Sequence, residues 1–258
     1  MSLKTLKPKK IKTAPRILIY GQEGVGKSTL ASGAPSPIWL DIEDGASQLC
    51  VARYEWPEST QAQSYRHVLQ ALKAIEEDEH GFKTLVIDTV DRLEGLIWDY
   101  VCEEESKRTG KKLAGIESFG YGKGFQFAAQ EWRNLCARLD RLRTRRSMLI
   151  VLLAHSHVKM YKNPEGDDFD RYQLRLNDKS AGFLKEWADI VGFMRFEEGA
   201  AKGDNDIKSK GFSTGRRHLH FRRTAAYDAK SRFELPEQIE IKGSGSWGKL
   251  SQKKATTA

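Results

Sequence analysis

The sequence predicts an α/β fold in which a mostly parallel central sheet carries helices on both faces. Three observations lead there. Short apolar runs recur at Arg16–Tyr20 (RILIY), Pro37–Asp41 (PIWLD), Thr84–Asp88 (TLVID), Met148–Ala154 (MLIVLLA) and Ile190–Phe196. Runs without polar alternation suit strands buried on both faces, as in a parallel sheet. Between them lie segments with apolar residues at helical spacing, which parallel strands need as crossovers. A glycine-rich turn follows the first run directly, and ligands of such sheets bind beyond the carboxyl ends of the strands.

Taken in order, the run at 16–20 leads into that turn and a helix. The run at 37–41 ends in acidic residues. Residues 64–79 predict a helix with Val68, Leu69, Leu72 and Ile75 on one face. After the third strand, 89–104 predicts a helix with Val90, Leu93, Ile97 and Val101 in register. Residues 105–123 read as loop, with five glycines from Gly110 to Gly124. A long helix at 125–145 carries Phe125, Ala128, Trp132, Leu135, Leu139 and Leu142. A short helix at 181–188 precedes the fifth strand. Residues 197–215 read as a flexible excursion, and 216–224 and 237–242 as late strands.

The chain has 258 residues, 43 Lys plus Arg and 35 Asp plus Glu, a net charge of +8. That length supports a full core. Six Trp, eight Tyr and eleven Phe exclude a mainly disordered chain. No stretch approaches 18 uncharged apolar residues, so no membrane span is expected. The first residues lack the apolar region of a secretory signal. Three distant cysteines (Cys50, Cys102, Cys136) form no zinc spacing, and a reducing cytoplasm is expected. Charge divides the chain into a basic tail at 1–14, a core at 15–241 and a flexible tail at 242–258. The high isoelectric point comes from the tails. Within the core, residues 106–146 carry eleven Lys/Arg against Glu117, Glu131 and Asp140, a basic segment on an acidic body.

The chemistry concentrates at the glycine turn, Gly21-Gln22-Glu23-Gly24-Val25-Gly26-Lys27-Ser28-Thr29. This is G-x-x-x-x-G-K-S between strand and helix, the phosphate loop called Walker A. Its glycines let backbone N–H groups close around phosphate oxygens. Lys27 reaches the outer phosphates, and Ser28 offers a hydroxyl to Mg²⁺. Asp88, ending an apolar strand, takes the Walker B position as the second Mg²⁺-side group. ATP and Mg²⁺ are therefore the expected ligands. The strand end Asp41-Ile42-Glu43-Asp44 delivers carboxylates to the same edge, where one can orient and deprotonate a water. Glu43 is the first choice, with Asp41 and Asp44 as rivals. His155, ending the fourth strand, is placed to sense the γ-phosphate. His155 and His157 also admit a metal-pair reading, though no third ligand has suitable spacing.

The order of Walker A, D-x-E strand end, Walker B and polar strand end resembles the core of RecA-type recombinases. The whole chain looks most like the small phage ATP-binding proteins of the Sak group, linked to single-strand annealing. Beyond the Walker motifs the resemblance rests on SFGYGKGF (Ser118–Phe125), LLAHSHVK (Leu152–Lys159), FLKEWADIV (Phe183–Val191) and AKSRFELPE (Ala229–Glu237). It implies a RecA-like P-loop fold, Glu43 as the catalytic carboxylate and His155 where the family usually has glutamine. It implies that loops at about 105–124 and 157–177 face DNA. In the first, Lys107, Arg108, Lys111, Lys112, Tyr121 and Lys123 suit single-stranded DNA, cations on phosphates and an aromatic face on bases. The second is net acidic and suits phosphate poorly. Lys230 and Arg232 would act as fingers on a neighbour's ATP, so a ring- or filament-forming homo-oligomer is implied, with a single-stranded-DNA-binding protein as a further partner. The expected function is a DNA-stimulated ATPase, phage-encoded and acting in the host cytoplasm. A DNA-independent ATPase switch and a P-loop kinase stand as alternatives.

Overall fold

Each apolar run expected as a strand is one. The computed structural model describes residues 13–57, 59, 61–201 and 210–251. In chain order the elements are β1 (Arg16–Gly21), α1 (Lys27–Ala31), β2 (Pro37–Asp41), β3 (Ala52–Arg53), α2 (Tyr65–Glu77), β4 (Thr84–Asp88) and α3 (Val90–Thr109). There follow α4 (Lys123–Arg145), β5 (Leu149–Tyr161), β6 (Phe169–Leu174), α5 (Asp178–Trp187), β7 (Ile190–Ala201) and β8 (Lys210–His220). Two short strands, β9 (Lys230–Ser231) and β10 (Gln238–Glu240), and α6 (Gly248–Ser251) complete it. The basic segment 1–12, with Lys4, Lys7, Lys9, Lys10 and Lys12, lies outside the described residues, as does 252–258.

The main sheet runs β10-β8-β7-β1-β5-β4-β2-β3. From β3 to β7 every pairing is parallel, while β8 and β10 add antiparallel strands at one flank. Period-2 alternation splits the apolar runs between two cores. Leu18, Tyr20, Leu40, Leu85, Ile87, Ile150, Leu152 and Phe193 pack with residues of α2–α5, Trp132 and Leu139 among them. Ile17, Ile19, Trp39, Val86, Val151, Leu153, Met194 and Leu219 face the other way, toward Val25, Leu30 and Trp247. The expected sheet with helices on both faces is therefore present.

Four expected boundaries move. Helix α3 runs on to Thr109, because Lys107 pairs with Glu103 and Arg108 with Glu105 across single turns, and Gly110 then ends it with φ 71°. The loop expected at 157–177 is mostly a hairpin: β5 continues past the sheet edge and pairs antiparallel with β6 from Ser156–Leu174 to Tyr161–Phe169. The excursion expected at 197–215 is built around another, since Glu198–Ser213 and Gly199–Phe212 are paired. The tail expected from 242 is packed as far as Leu250. Trp247 is buried in the second core beside α1, with a 3-10 turn over Ser244–Trp247.

That last contact is close. A Cβ added at Gly33 would lie 2.0 Å from the backbone oxygen of Ser244. Neither partner is a flexible side-chain end, so the backbone must move. Gly33→Ala is expected to cost about 1–3 kcal/mol, as overpacked sites do, read as a lower denaturation midpoint with an unchanged m-value. An unchanged midpoint would show that 244–251 does not hold against α1 in solution.

Candidate nucleotide site

Register brings the site together. Gly21 is level with His155 on β5 and Met194 on β7, and Asp41 is level with Asp88. The carboxyl ends of β1, β2 and β4 therefore meet at one edge, level with His155 midway along β5. There the loop 21–29 turns into α1 through Gly24 (φ 70°) and Gly26 (φ 96°), a backbone that side chains with a Cβ resist. Lys27 is 5% exposed, and its Nζ donates to the carbonyls of Gly21 (3.2 Å) and Gln22 (2.9 Å). Burial lowers its pKa, against the opposing pull of Asp88, Asp91, Glu43 and Glu23.

The two Walker elements touch: Ser28 Oγ donates to Asp88 Oδ2 at 2.6 Å. Asp88 is 2% exposed. Burial pushes its carboxyl up to about 6, and the nearby Glu43 and Asp41 add to this, while the Ser28 hydrogen bond opposes it. A hydroxyl and a carboxylate form an oxygen-only donor pair, which fits a hard cation such as Mg²⁺. Ser28 and Asp88 would hold that ion, whose chemistry is to neutralise charge on the phosphates.

Beside this pair stands a relay only partly legible in the sequence. Asp91, on the first turn of α3, accepts the backbone N–H of His155 (2.9 Å) and faces its ring Nδ1 (2.9 Å). Burial alone would raise Asp91. The His155 bonds and the Arg175 guanidinium more than reverse that and hold it at about 2. The same His155 Nδ1 also faces Arg175 Nη2 at 3.2 Å, so the ring edge lies between a carboxylate and a guanidinium. The ring's Nε2 lies 3.8 Å from Glu43 Oε1. Glu43 is fixed from the other side by Thr89 Oγ1, which donates to its Oε2 at 2.8 Å. Arg175 closes the arrangement, reaching Asp91 (3.0 Å) and Glu23 of the phosphate loop (2.9 Å). Glu43, Asp91 and Arg175, with Arg92 and Trp98, line an open depression of about 310 Å³ beside the phosphate loop. Chemically, this set can hold a water against Glu43 and pass a proton to His155.

The rival acids separate clearly. Asp41 is buried and accepts the N–H groups of Gly45 and Ala46, both at 3.0 Å, so it shapes the turn that presents Glu43. Asp44 is exposed at a positive φ of 59°. The histidine metal pair is not what gathers. Donor atoms of Glu43, Asp91 and His155 lie within 4.8 Å of one another, and His157 is not among them.

The other expected residues lie elsewhere. Lys107 and Arg108 are helical and ion-paired, which corrects their placement in a loop. Lys111, Lys112 and Lys123 are exposed. Tyr121 is fully exposed at φ 49°. Lys230 and Arg232 sit beside the start of β7, at the sheet edge opposite the phosphate loop. Lys230 Nζ and Arg232 both bond the Glu186 carbonyl, and Arg232 also pairs with Asp189 at 2.9 Å. Within one chain they do not reach the site.

Asp91, Thr89 and Arg175 were missed in the sequence. For Asp91 a signal existed, an acid one turn beyond the Walker B residue. Arg175 has none, since only the return of the β5–β6 hairpin brings it back. Among the described residues, no helix is long and apolar enough to cross a membrane.

A family model described as an AAA domain matches residues 13–233. The chain is also 23% identical over 198 residues to the SPbeta prophage-derived uncharacterized protein YorG of Bacillus subtilis (strain 168). The match covers 70% of this chain and 59% of that protein, so the chain spans well under two thirds of its relative. With the phosphate loop, its Asp88 partner and most of the sequence inside the matched region, the chain belongs to the AAA domain family of P-loop ATPases.

Proposed function

We propose that the protein hydrolyses ATP in response to single-stranded DNA and aids annealing or recombination, as a phage-type ATPase of the RecA-like Sak group acting in the host cytoplasm. The observation that carries hydrolysis is the Glu43–His155–Asp91 relay beside the Ser28–Asp88 pair. Lys27 binds the outer phosphates, Glu43 orients and deprotonates the attacking water, and His155, held by Asp91, responds to the γ-phosphate. Tyr121 supports DNA as the trigger: a fully exposed aromatic in the same chain segment as the exposed Lys111, Lys112 and Lys123 suits base stacking with backbone contacts. Lys230 and Arg232, facing away from their own site, would act only on a neighbour's nucleotide in a ring or filament. A single-stranded-DNA-binding protein is a further candidate partner. A DNA-independent switch is the second reading, favoured by the glutamate pairing of Lys107 and Arg108.

The test is ATP hydrolysis at fixed moderate salt, with and without single-stranded DNA. It compares the full chain, a chain trimmed to 13–251, Lys27→Ala and Tyr121→Ala. DNA should stimulate both wild-type forms, Lys27→Ala should be inactive, and Tyr121→Ala should keep basal turnover while losing stimulation. Losing one base-stacking ring is worth about 1–3 kcal/mol of DNA affinity. Turnover indifferent to DNA in both wild-type forms would discard the DNA reading and favour the switch.

A further inference from the structure

Arg217 approaches the phosphate loop from the flank opposite the catalytic groups. It lies on β8, level with Phe196 of β7. A Cβ added at Gly26 would come within 2.5 Å of its guanidinium nitrogen, so the head group abuts the last glycine before Lys27. Its neighbours on β8 are engaged: Arg216 pairs with Glu197, and His218 lies near the His220 ring. Among the described residues, the Arg217 guanidinium has no hydrogen-bond or ion-pair partner. A half-buried cation without an acid, set against a loop that binds polyphosphate, is matched by an anionic ligand.

The sheet order says which part of that ligand. Asp88, Glu43 and His155 come from β4, the end of β2 and β5, all on one side of β1. Met194 and Arg217 come from β7 and β8, on the other side. A polyphosphate lying across the loop has its reacting end on the Asp88 side. The end joined to the sugar then lies on the Arg217 side. We propose that Arg217 binds the sugar-proximal phosphates of the nucleotide, the α- and β-phosphates common to di- and triphosphates. This rests on the nucleotide reading above.

The two ideas fail differently. Affinities for Mg–ADP and a Mg-bound non-hydrolysable ATP analogue would be measured by calorimetry at fixed salt, for wild type, Arg217→Ala and Arg217→Lys. Thermal melts would confirm that the variants fold, as expected where no internal partner is lost. Arg217→Ala should raise both Kd values about tenfold, the loss of one charged hydrogen-bonding partner, with their ratio unchanged. Arg217→Lys should fall between, since an ammonium keeps the charge but not the planar fork. Unchanged Kd values for both ligands would overturn the proposal. So would a loss confined to the triphosphate analogue, which would put Arg217 on the γ-phosphate. A wild-type chain binding neither ligand would overturn the nucleotide reading itself, before any variant is compared.

Discussion

Glu43→Gln is expected to slow ATP hydrolysis by about 10²–10⁴-fold, the usual worth of a positioned general base, while nucleotide still binds. The amide keeps the shape of the side chain and can still accept the Thr89 hydroxyl bond. It cannot take a proton from water. Asp41→Asn is the informative comparison, because Asp41 holds the turn through the amides of Gly45 and Ala46 and does not face His155. Its loss should lower stability before it lowers turnover at saturating ATP. Single-turnover hydrolysis with pre-bound Mg–ATP separates the two. Glu43→Gln turnover within a factor of a few of wild type would remove Glu43 from the chemistry and leave His155 as the base.

Asp88→Asn is expected to stabilise the metal-free protein while abolishing the effect of Mg²⁺. The unfolded carboxyl titrates near 3.8 and the folded one near 6. Between those values the folded chain holds a proton that the unfolded chain has lost. Stability is therefore full below the unfolded value and falls as pH rises through the folded one. Above both, the folded state carries a buried charge that costs about 3 kcal/mol. In chelator, wild-type stability should drop by about that much between pH 4 and 6, and the Asp88→Asn curve should lack this step. Adding Mg²⁺ with nucleotide should raise the wild-type midpoint and leave the variant nearly unmoved. Parallel pH curves for the two proteins would show that Asp88 is ionised at no cost, and that Ser28 and Lys27 already compensate it.

Much of this protein is local in origin. The five apolar runs mark their strands without help from the rest of the chain, because a strand buried on both faces needs nothing but continuous apolar residues. The phosphate loop is equally local, since its function is a backbone shape that Gly24 and Gly26 permit. Asp88 and Glu43 could be named because each follows its strand directly, and strand ends in a parallel sheet share one edge. What misled was polarity. Residues 105–109 looked like loop because charge hid the ion pairs that extend α3. The hairpin arms of β5–β6 and β7–β8 looked irregular because strands outside a core lose the apolar signature. Trp247 stands inside a run of Gly and Ser, yet its side chain is buried in the second core, with Leu250 packed against it.

The sequence by itself determined the main strands and the phosphate loop, and put Asp88 and Glu43 at the ends of neighbouring strands, because each follows from residues adjacent in the chain. The tertiary structure alone decided which carboxylates face His155, and that Arg175 and Arg217 approach the loop from opposite flanks. Those facts depend on register between strands and on the return path of two hairpins, where partners as far apart as Glu23 and Arg175 meet at 2.9 Å. No local pattern encodes such a meeting, since it exists only once the sheet has closed around it.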